Sequence, residues 1–265
     1  MVAMDFETIL LKKEEAVGTI VLNRPKALNP VNRKTAQEIS AALEDLKADE
    51  NIRSVILTGA GKAFSAGGDV KEIENYTPQE GLNFRDFMLV IKKMILDIRA
   101  IPKLVIMAIN GLAYGVGFSL ALSGDIILAS ESASFCQVFV KIGLVPDGGS
   151  TFFLPRLIGF ARAFPLVFSG DPISAKEALA LGLVSRIVSP DKLEEEAVAL
   201  AKKLSLGPTR AMGLAKELMY AGMERTLSEQ LDEEASVQSL CRLTRDHQEG
   251  LKAFHEKRFP RFEGR

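Results

Sequence analysis

Two short runs of glycine and other small residues each stand where an apolar strand is expected to give way to a helix. The first is residues 61–70, Gly-Lys-Ala-Phe-Ser-Ala-Gly-Gly-Asp-Val, which follows the apolar run 54–58. The second is residues 110–117, Asn-Gly-Leu-Ala-Tyr-Gly-Val-Gly, which follows the apolar run 104–109. Two such turns can each direct one backbone N–H at a single point. That pair would stabilise a carbonyl or thioester oxygen as it becomes an enolate or a tetrahedral anion.

The pattern around these turns predicts the elements that must position them. Strands are expected at 6–12, 17–22, 54–58, 104–109 and 126–130, and helices at 32–49, 70–74, 83–100, 115–123, 174–180, 193–205, 208–220 and 227–254. The alternation of strands with helices through residue 130 favours a single α/β domain. The polar segment 75–81 predicts a break between two helices and a mobile stretch of chain.

Composition narrows the class of protein. The chain has 265 residues and a formal net charge of −1, so it shows no general electrostatic footprint for nucleic acid or an anionic membrane. The apolar stretch 104–129 is interrupted by Asn110, several glycines and Asp125, which favours a buried strand–turn–helix over a membrane span. The two cysteines, Cys136 and Cys241, lie far apart without a metal-binding spacing, so a reducing, cytoplasmic location is expected.

Six motifs, in order and spacing, resemble the crotonase family, also called the enoyl-CoA hydratase/isomerase family. They lie at 22–29, 63–69, 110–117, 143–149, 178–184 and 250–254 and cover nearly the whole chain. The resemblance implies a ClpP-like spiral of ββα units, with residues 1–200 as the acyl-CoA-binding core and 201–265 as a helical trimerisation region. It further implies a homotrimer or a dimer of trimers, a CoA thioester as substrate, and neither a separate cofactor nor a metal.

The same resemblance assigns the binding site. It gives the two oxyanion donors as the N–H groups of Ala66 and Val116, and it places Lys26, Ala27 and Leu28 along the CoA nucleotide and pantetheine. The remaining substrate-binding residues that it implies are Ala63, Ser65, Gly67, Gly68, Asp69, Val70, Leu112, Gly115, Phe139, Pro146 and Gly148.

The acid and base groups depart from the usual hydratase pattern. Hydratases of this family use two glutamates to orient and deprotonate water, and the matching positions here are Ser119 and Phe139, neither of which can act as a base. Asp147, in Leu-Val-Pro-Asp-Gly-Gly at 144–149, stands out instead. This loop resembles that of isomerases of the ring-opened phenylacetate pathway and of Δ3,Δ2-enoyl-CoA isomerases, which implies proton transfer from C2 to C4 of a 3-enoyl-CoA.

Such a role requires a carboxyl pKa raised by an apolar pocket, which Val138, Phe139, Phe152 and Phe153 could supply. A turn aspartate that caps a helix is the structural alternative for Asp147.

Other functions stay open at this point. A hydratase could activate water through Asp147 or another acid, with Glu72 and Glu74 as candidates beyond the first turn. A thioester hydrolase or a ring-modifying enzyme would use the same oxyanion site. The absence of both glutamates also fits an acyl-CoA-binding protein that has lost catalysis. The acyl group itself is not specified, because segments such as 74–88 are expected to shape its cavity.

Overall fold

The fold is built on two sheets. The structure, a computed structural model, describes residues 5–74, 76 and 81–265. The sequence predicts that the segment 75–81 is mobile, but residues 75 and 77–80 of this segment lie outside the described residues. The larger sheet contains β1 (Ile9–Glu14), β2 (Val17–Leu22), β3 (Ser54–Gly59), β5 (Leu104–Ile109), β7 (Ile126–Ser130) and β10 (Arg186–Val188), in the order 1-2-3-5-7-10. The smaller sheet contains β4 (Ala63–Ser65), β6 (Leu112–Tyr114), β8 (Ser134–Cys136) and β9 (Ile173–Ser174), in the order 4-6-8-9.

The chain passes repeatedly from the larger sheet to the smaller one and then into a helix. β3 and β4 lead to α2 (Val70–Glu74), β5 and β6 lead to α4 (Val116–Leu122), and β7 and β8 lead to α5 (Ser150–Ile158). β4, β6 and β8 are parallel neighbours, with Ala63 opposite Leu112. The carboxyl ends of parallel strands meet at one edge of a sheet, so the turns that follow β4 and β6 arrive side by side.

Helices cover both faces of the larger sheet, as strand alternation requires. Val55 and Leu57 of β3 pack in the main core with α1 (Arg33–Ala48) and α3 (Gly81–Ala100). Ile56, between them, faces the other side and packs with α8 (Leu193–Ser205). Within the described part of the chain, no helix is long and apolar enough to cross a bilayer.

The remaining helices are α6 (Phe160–Ser169), α7 (Ala175–Ala180), α9 (Thr209–Ala221), α10 (Leu227–Arg242) and α11 (Arg245–Glu256). The part of the chain at 227–254 that is predicted to be helical forms two helices, because Thr244 begins the second one by accepting a hydrogen bond from the N–H of His247 at 3.1 Å. The predicted division at residue 200 falls inside α8, which packs on the larger sheet, and the division stays a prediction. The assembly role of the C-terminal helices stays a prediction.

A buried ion pair holds α9 against the edge of the larger sheet. The Nζ of Lys216 lies 2.8 Å from a carboxylate oxygen of Asp125 and donates to the carbonyl of Ile98 at 3.1 Å. Tyr220, one turn further along α9, donates its hydroxyl to the other Asp125 oxygen. These contacts fix the end of α9 beside α3, where both helices border a cavity.

Candidate active site

The two glycine-rich turns touch each other. Gly67 has a φ of 103° and Gly115 a φ of 52°, both in the region that favours glycine. A methyl group built on Gly67 would lie 2.9 Å from the carbonyl oxygen of Tyr114 and 3.7 Å from the Cα of Gly115. One built on Gly117 would lie 2.7 Å from the Cβ of Ser65. The absence of side chains therefore lets the two backbones approach, as expected from the sequence.

Val116 provides one free N–H at this junction. It is the first residue of α4, where an N–H has no partner within the helix. The neighbouring groups are satisfied, since the Gly115 N–H bonds to the carbonyl of Cys136 at 2.9 Å and the Phe118 N–H bonds to that of Gly115 at 3.0 Å. Among the described residues, no backbone acceptor pairs with the Val116 N–H, which leaves it open to a ligand.

The free N–H of the first turn belongs to Gly68 and not to Ala66, which corrects the donor predicted from the sequence. The Ala66 N–H already donates to the carbonyl of Leu28 at 2.8 Å. Val31 bonds instead to the residues on either side of Gly68: its N–H donates to Gly67 O at 2.7 Å, and its carbonyl accepts from the Asp69 N–H at 3.0 Å. In this parallel bridge the N–H of Gly68 points away from Val31 and is free to donate.

The loop at 24–29 lies against the first turn. Its short 3-10 helix spans Pro25–Ala27, and Asn29 secures it by accepting from the Arg24 N–H at 2.9 Å and donating to the carbonyl of Ala63 at 2.8 Å. Lys26 and Ala27 are exposed beside the turn. A cation here can reach a phosphate of a ligand whose reactive end lies at the junction of the turns.

The other residues of the first turn and of β6 that are predicted to bind substrate differ in their burial and in their contacts. The carboxylate of Asp69 pairs with the guanidinium of Arg24 at 2.6 Å. Ala63 and Ser65 are buried, and the Ser65 hydroxyl accepts from the Gly67 N–H at 3.2 Å, so their side chains support the turn from beneath. Val70 is exposed, and Leu112 lies half-buried on β6.

Asp147 lies in the loop before α5, directly against the first turn of α4. The two residues after it, Gly148 and Gly149, have φ values of 57° and 88°. A methyl group built on Gly148 would lie 2.7 Å from the Cβ of Ser119 and 3.2 Å from a methyl carbon of Val116. The backbone next to the acid is thus in contact with Val116, whose N–H is free.

Asp147 is half-buried in the cavity wall, and one of its carboxylate oxygens is closed off from solvent. Its Oδ1 is buried without a hydrogen-bond partner among the described residues. Burial raises the pKa of this carboxyl from 3.8 to about 6. The alternative of a helix-capping aspartate is not supported, because Gly149 is the residue before α5 and no side chain caps that helix.

The cavity in front of Asp147 has a volume of about 680 Å³ and is mainly apolar. Its apolar lining comes from α3, from the 144–153 segment and from the end of α9, and comprises Phe84, Met88, Ile91, Ile95, Leu96, Leu144, Val145, Phe152, Phe153, Tyr220 and Met223. The guanidinium of Arg99 also borders it, 5.1 Å from the ring centre of Phe153. Such a lining suits an acyl chain or a ring.

The predicted apolar environment of Asp147 is therefore correct for Phe152 and Phe153 but wrong for Phe139. Phe139 is buried beneath Gly115, where a methyl group on that glycine would lie 3.7 Å from its ring, and it does not line the cavity. Pro146 is half-buried in the acid loop, and Gly148 borders the cavity directly.

The two glutamates beyond the first turn do not provide a second buried acid. A carboxylate oxygen of Glu72 accepts from the Arg33 N–H at 2.8 Å and so serves the start of α1. Glu74 is exposed. Glu224 borders the cavity near Met223 but is itself exposed. Of the two carboxylates that border the described cavity, Asp147 is the one next to the first turn of α4.

The comparisons with known proteins agree with this geometry. The enoyl-CoA hydratase/isomerase family matches residues 12–265. The chain is 38% identical over 263 residues to 1,2-epoxyphenylacetyl-CoA isomerase of Escherichia coli, covering 98% of this chain and 99% of that protein. It is 36% identical over 260 residues to crotonyl-CoA hydratase of Syntrophomonas wolfei, covering 98% and 99%.

A crystal structure of enoyl-CoA hydratase from Bacillus anthracis superposes with a TM-score of 0.93 at 36% identity, covering 98% of this chain and 100% of that one. The crotonase-type α/β fold expected from the motifs is thereby confirmed. With its two sheets, its paired turns and a family match along nearly its whole length, the chain belongs to the enoyl-CoA hydratase/isomerase family.

Proposed function

We propose that this enzyme isomerises acyl-CoA thioesters by moving a double bond from the 3-position to the 2-position. The observation that carries the proposal is the single shielded carboxylate of Asp147 beside the Val116 donor turn. A carboxyl group with a pKa near 6 can both accept and return a proton close to neutral pH.

The reaction needs one acid and one oxyanion site. The thioester oxygen is held by the N–H groups of Gly68 and Val116, which makes the protons on C2 more acidic. Ionised Asp147 removes one C2 proton, and the electron pair of that C–H bond forms a dienolate that extends over C4. The protonated carboxyl then delivers the proton to C4, the double bond settles between C2 and C3, and Asp147 is ionised again.

Hydration is the second candidate, and the site supports it less well. Ser119 and Phe139 occupy the positions of the two hydratase glutamates, and both are buried away from the cavity. Asp147 would have to activate water within a mainly apolar cavity. The names of the relatives do not separate the candidates, because an isomerase and a hydratase match this chain at 38% and 36% identity.

The other parts of the proposal concern ligand and assembly. We infer that the CoA nucleotide lies along the loop that carries Lys26 and that the acyl group enters the cavity bordered by Phe152 and Phe153. A trimer, or a dimer of trimers, in the cytoplasm is part of the same proposal. The assembly into trimers is supported by α10, which buries no residue and exposes Leu227 and Leu231.

The test compares two substrates. Purified protein is incubated with 3-hexenoyl-CoA and, separately, with crotonyl-CoA; double-bond isomers are separated by chromatography and identified by the ultraviolet absorbance of the conjugated 2-enoyl thioester, and hydration is detected by mass. The proposal expects a 2-enoyl product of unchanged mass from the first and little change in the second. Gain of one water by crotonyl-CoA without isomerisation would establish the hydratase. Tight thioester binding with no turnover of either would indicate a binding protein.

The pH dependence of kcat/KM should follow the carboxyl pKa. Asp147 must be ionised to remove the first proton, so the rate is expected to fall tenfold per pH unit below about pH 6. This acidic limb of the pH–rate profile lies well above the ordinary pKa of an aspartate, because burial disfavours the charged form of the carboxyl group. Initial rates with 3-hexenoyl-CoA between pH 4.5 and 8 would measure it, and a limb near pH 4 would contradict a shielded acid.

A further inference from the structure

Ser119 is the last of three buried polar groups that form a hydrogen-bonded chain ending at the acid loop. The Ser119 hydroxyl donates to the main-chain carbonyl of Asp147 at 2.8 Å. The Oγ of Ser150 lies 2.5 Å from the Oγ of Ser119 and accepts from the amide of Gln137 at 2.8 Å. The Ser119 hydroxyl also lies 3.3 Å from the carbonyl of Gly115, so the shorter contact to Asp147 is its main one. With the Ser119 proton on the Asp147 carbonyl, the proton between the two hydroxyls comes from Ser150, and the chain runs from Gln137 through Ser150 and Ser119 to that carbonyl.

All three side chains are closed off from solvent. Ser119 and Ser150 have no exposed surface, and Gln137 has 1%. The amide oxygen of Gln137 has no partner among the described residues, whereas both hydroxyls are bonded. Hydrogen bonds of buried hydroxyls restrict geometry strongly, because losing one leaves a polar group unpaired away from water. The chain connects the segment before the acid loop, the loop itself and the start of α5, so it holds the loop from both ends.

The same turn of α4 supports both parts of the chemistry. Val116 and Ser119 are three residues apart and lie on one face of α4. Val116 presents its N–H to the substrate oxygen, whereas the Ser119 hydroxyl donates a hydrogen bond to the main-chain carbonyl of Asp147. Gly148 fits between them, since even a methyl group there would approach both residues within 3.2 Å. The separation between donor and acid is thus set by one rigid helical turn.

Resting on the proposed function, we propose that Ser119 is a positioning residue: with Ser150 and Gln137, it fixes Asp147 relative to the oxyanion donor of Val116. Ser119 is therefore more than a position from which a glutamate is missing. Its Cβ and hydroxyl lie so close to Gly148 that a methyl group on that glycine would come within 2.7 Å and 3.3 Å of them.

The experiment compares Ser119→Ala and Ser150→Ala with Ser123→Ala as the matched control. Ser123 lies at the other end of α4, is equally buried, and donates its hydroxyl to the carbonyl of Leu120 at 2.7 Å. All three variants lose one buried hydroxyl, so their Tm values should fall by similar amounts. Steady-state kinetics with 3-hexenoyl-CoA, from pH 4.5 to 8, then separate positioning from folding.

We expect Ser119→Ala to lower kcat about 10- to 100-fold with KM changed less than threefold, as for a displaced catalytic group. Its acidic limb should move towards lower pH, because a loosened loop lets water reach Asp147. Ser150→Ala should lower kcat less than Ser119→Ala does. The double variant should be no slower than Ser119→Ala, since both serines act through one hydrogen-bonded chain. Ser123→Ala should retain the wild-type kcat and pH profile.

The outcomes distinguish a failure of the positioning role of Ser119 from a failure of the proposed isomerase function. If the wild type isomerises 3-hexenoyl-CoA and Ser119→Ala matches Ser123→Ala in kcat and pH profile, the positioning role is overturned and the proposed function stands. If the wild type does not isomerise, the proposed function itself fails. Should Ser119→Ala not fold, Ser150→Ala retains the test, and a wild-type kcat and pH profile in that variant would likewise overturn the inference.

Discussion

Replacement of Asp147 by asparagine is expected to reduce kcat for isomerisation by about 10³- to 10⁴-fold, the upper part of the range for acid–base catalysis. The loss is large because the same carboxyl group both removes and returns the proton, and no other buried carboxylate borders the described cavity. Steady-state rates with 3-hexenoyl-CoA measure the effect. The Kd for a non-reactive acyl-CoA, measured by calorimetry, should stay within a few-fold of the wild-type value.

The stability of Asp147→Asn should move in the opposite direction. In the folded state the pKa of Asp147 is about 6, above its ordinary 3.8, so its ionisation opposes folding. This contribution grows as pH rises through that interval and is fully present above pH 6. Asparagine has no charge to desolvate, so the Tm at pH 8 should equal or exceed that of the wild type.

Asp171→Asn provides the matched control for charge removal. Asp171 is exposed and forms a surface pair with Lys141 at 3.2 Å, away from the cavity. Its replacement should leave kcat unchanged. A folded Asp147→Asn enzyme as active as this control would remove Asp147 from the mechanism.

The second large effect is expected from Val116→Pro, which deletes one oxyanion donor. Loss of one such donor typically costs about 10²- to 10³-fold in kcat. Proline is well tolerated at the first position of a helix, and the missing N–H makes no bond within α4. The fold should therefore survive, and kcat for 3-hexenoyl-CoA should fall while acyl-CoA affinity changes little.

Val116→Ala controls for the loss of the valine side chain, because alanine retains the N–H at the same place. Its kcat should remain within a few-fold of the wild type. Equal rates for folded Val116→Pro and Val116→Ala would show that this N–H does not bear the developing charge.

The sequence predicts the scaffold of this site well because the signals are local. A glycine at 67 or 115 is needed for a positive φ and a close backbone approach, and both turns come after mainly apolar strands of the larger sheet. The position of Asp147 in a Pro-Asp-Gly-Gly turn also points to a loop at the edge of the fold. These features depend on neighbours in the chain.

The donor pair shows where local reasoning ends. Ala66 and Gly68 are equally small, and both stand in the first turn. Only the pairing of Val31 with Gly67 and Asp69, and of Leu28 with Ala66, decides which N–H is free. Those partners lie more than thirty residues earlier in the chain, so periodicity and spacing around the turn hold no information about them.

The elements that shape the acyl cavity were also harder to predict. α5 and α6 contain Pro155 and Pro165, which weaken a helical reading of the 150–169 segment. Phe152 and Phe139 look alike in the sequence, yet one borders the cavity and the other lies beneath Gly115. In the sequence, Ser119 is only a position where a hydratase glutamate is missing, whereas the structure shows its hydroxyl bonded to the Asp147 carbonyl.

The central claim is that one shielded carboxylate carries a proton from C2 to C4. Its most direct test supplies 3-hexenoyl-CoA with both C2 hydrogens replaced by deuterium, in ordinary water, and locates the label in the product. Transfer by Asp147, whose Oδ1 is closed off from solvent, is expected to place a measurable share of the deuterium at C4. A product that gains water, or an isomer with no deuterium at C4, would contradict the account.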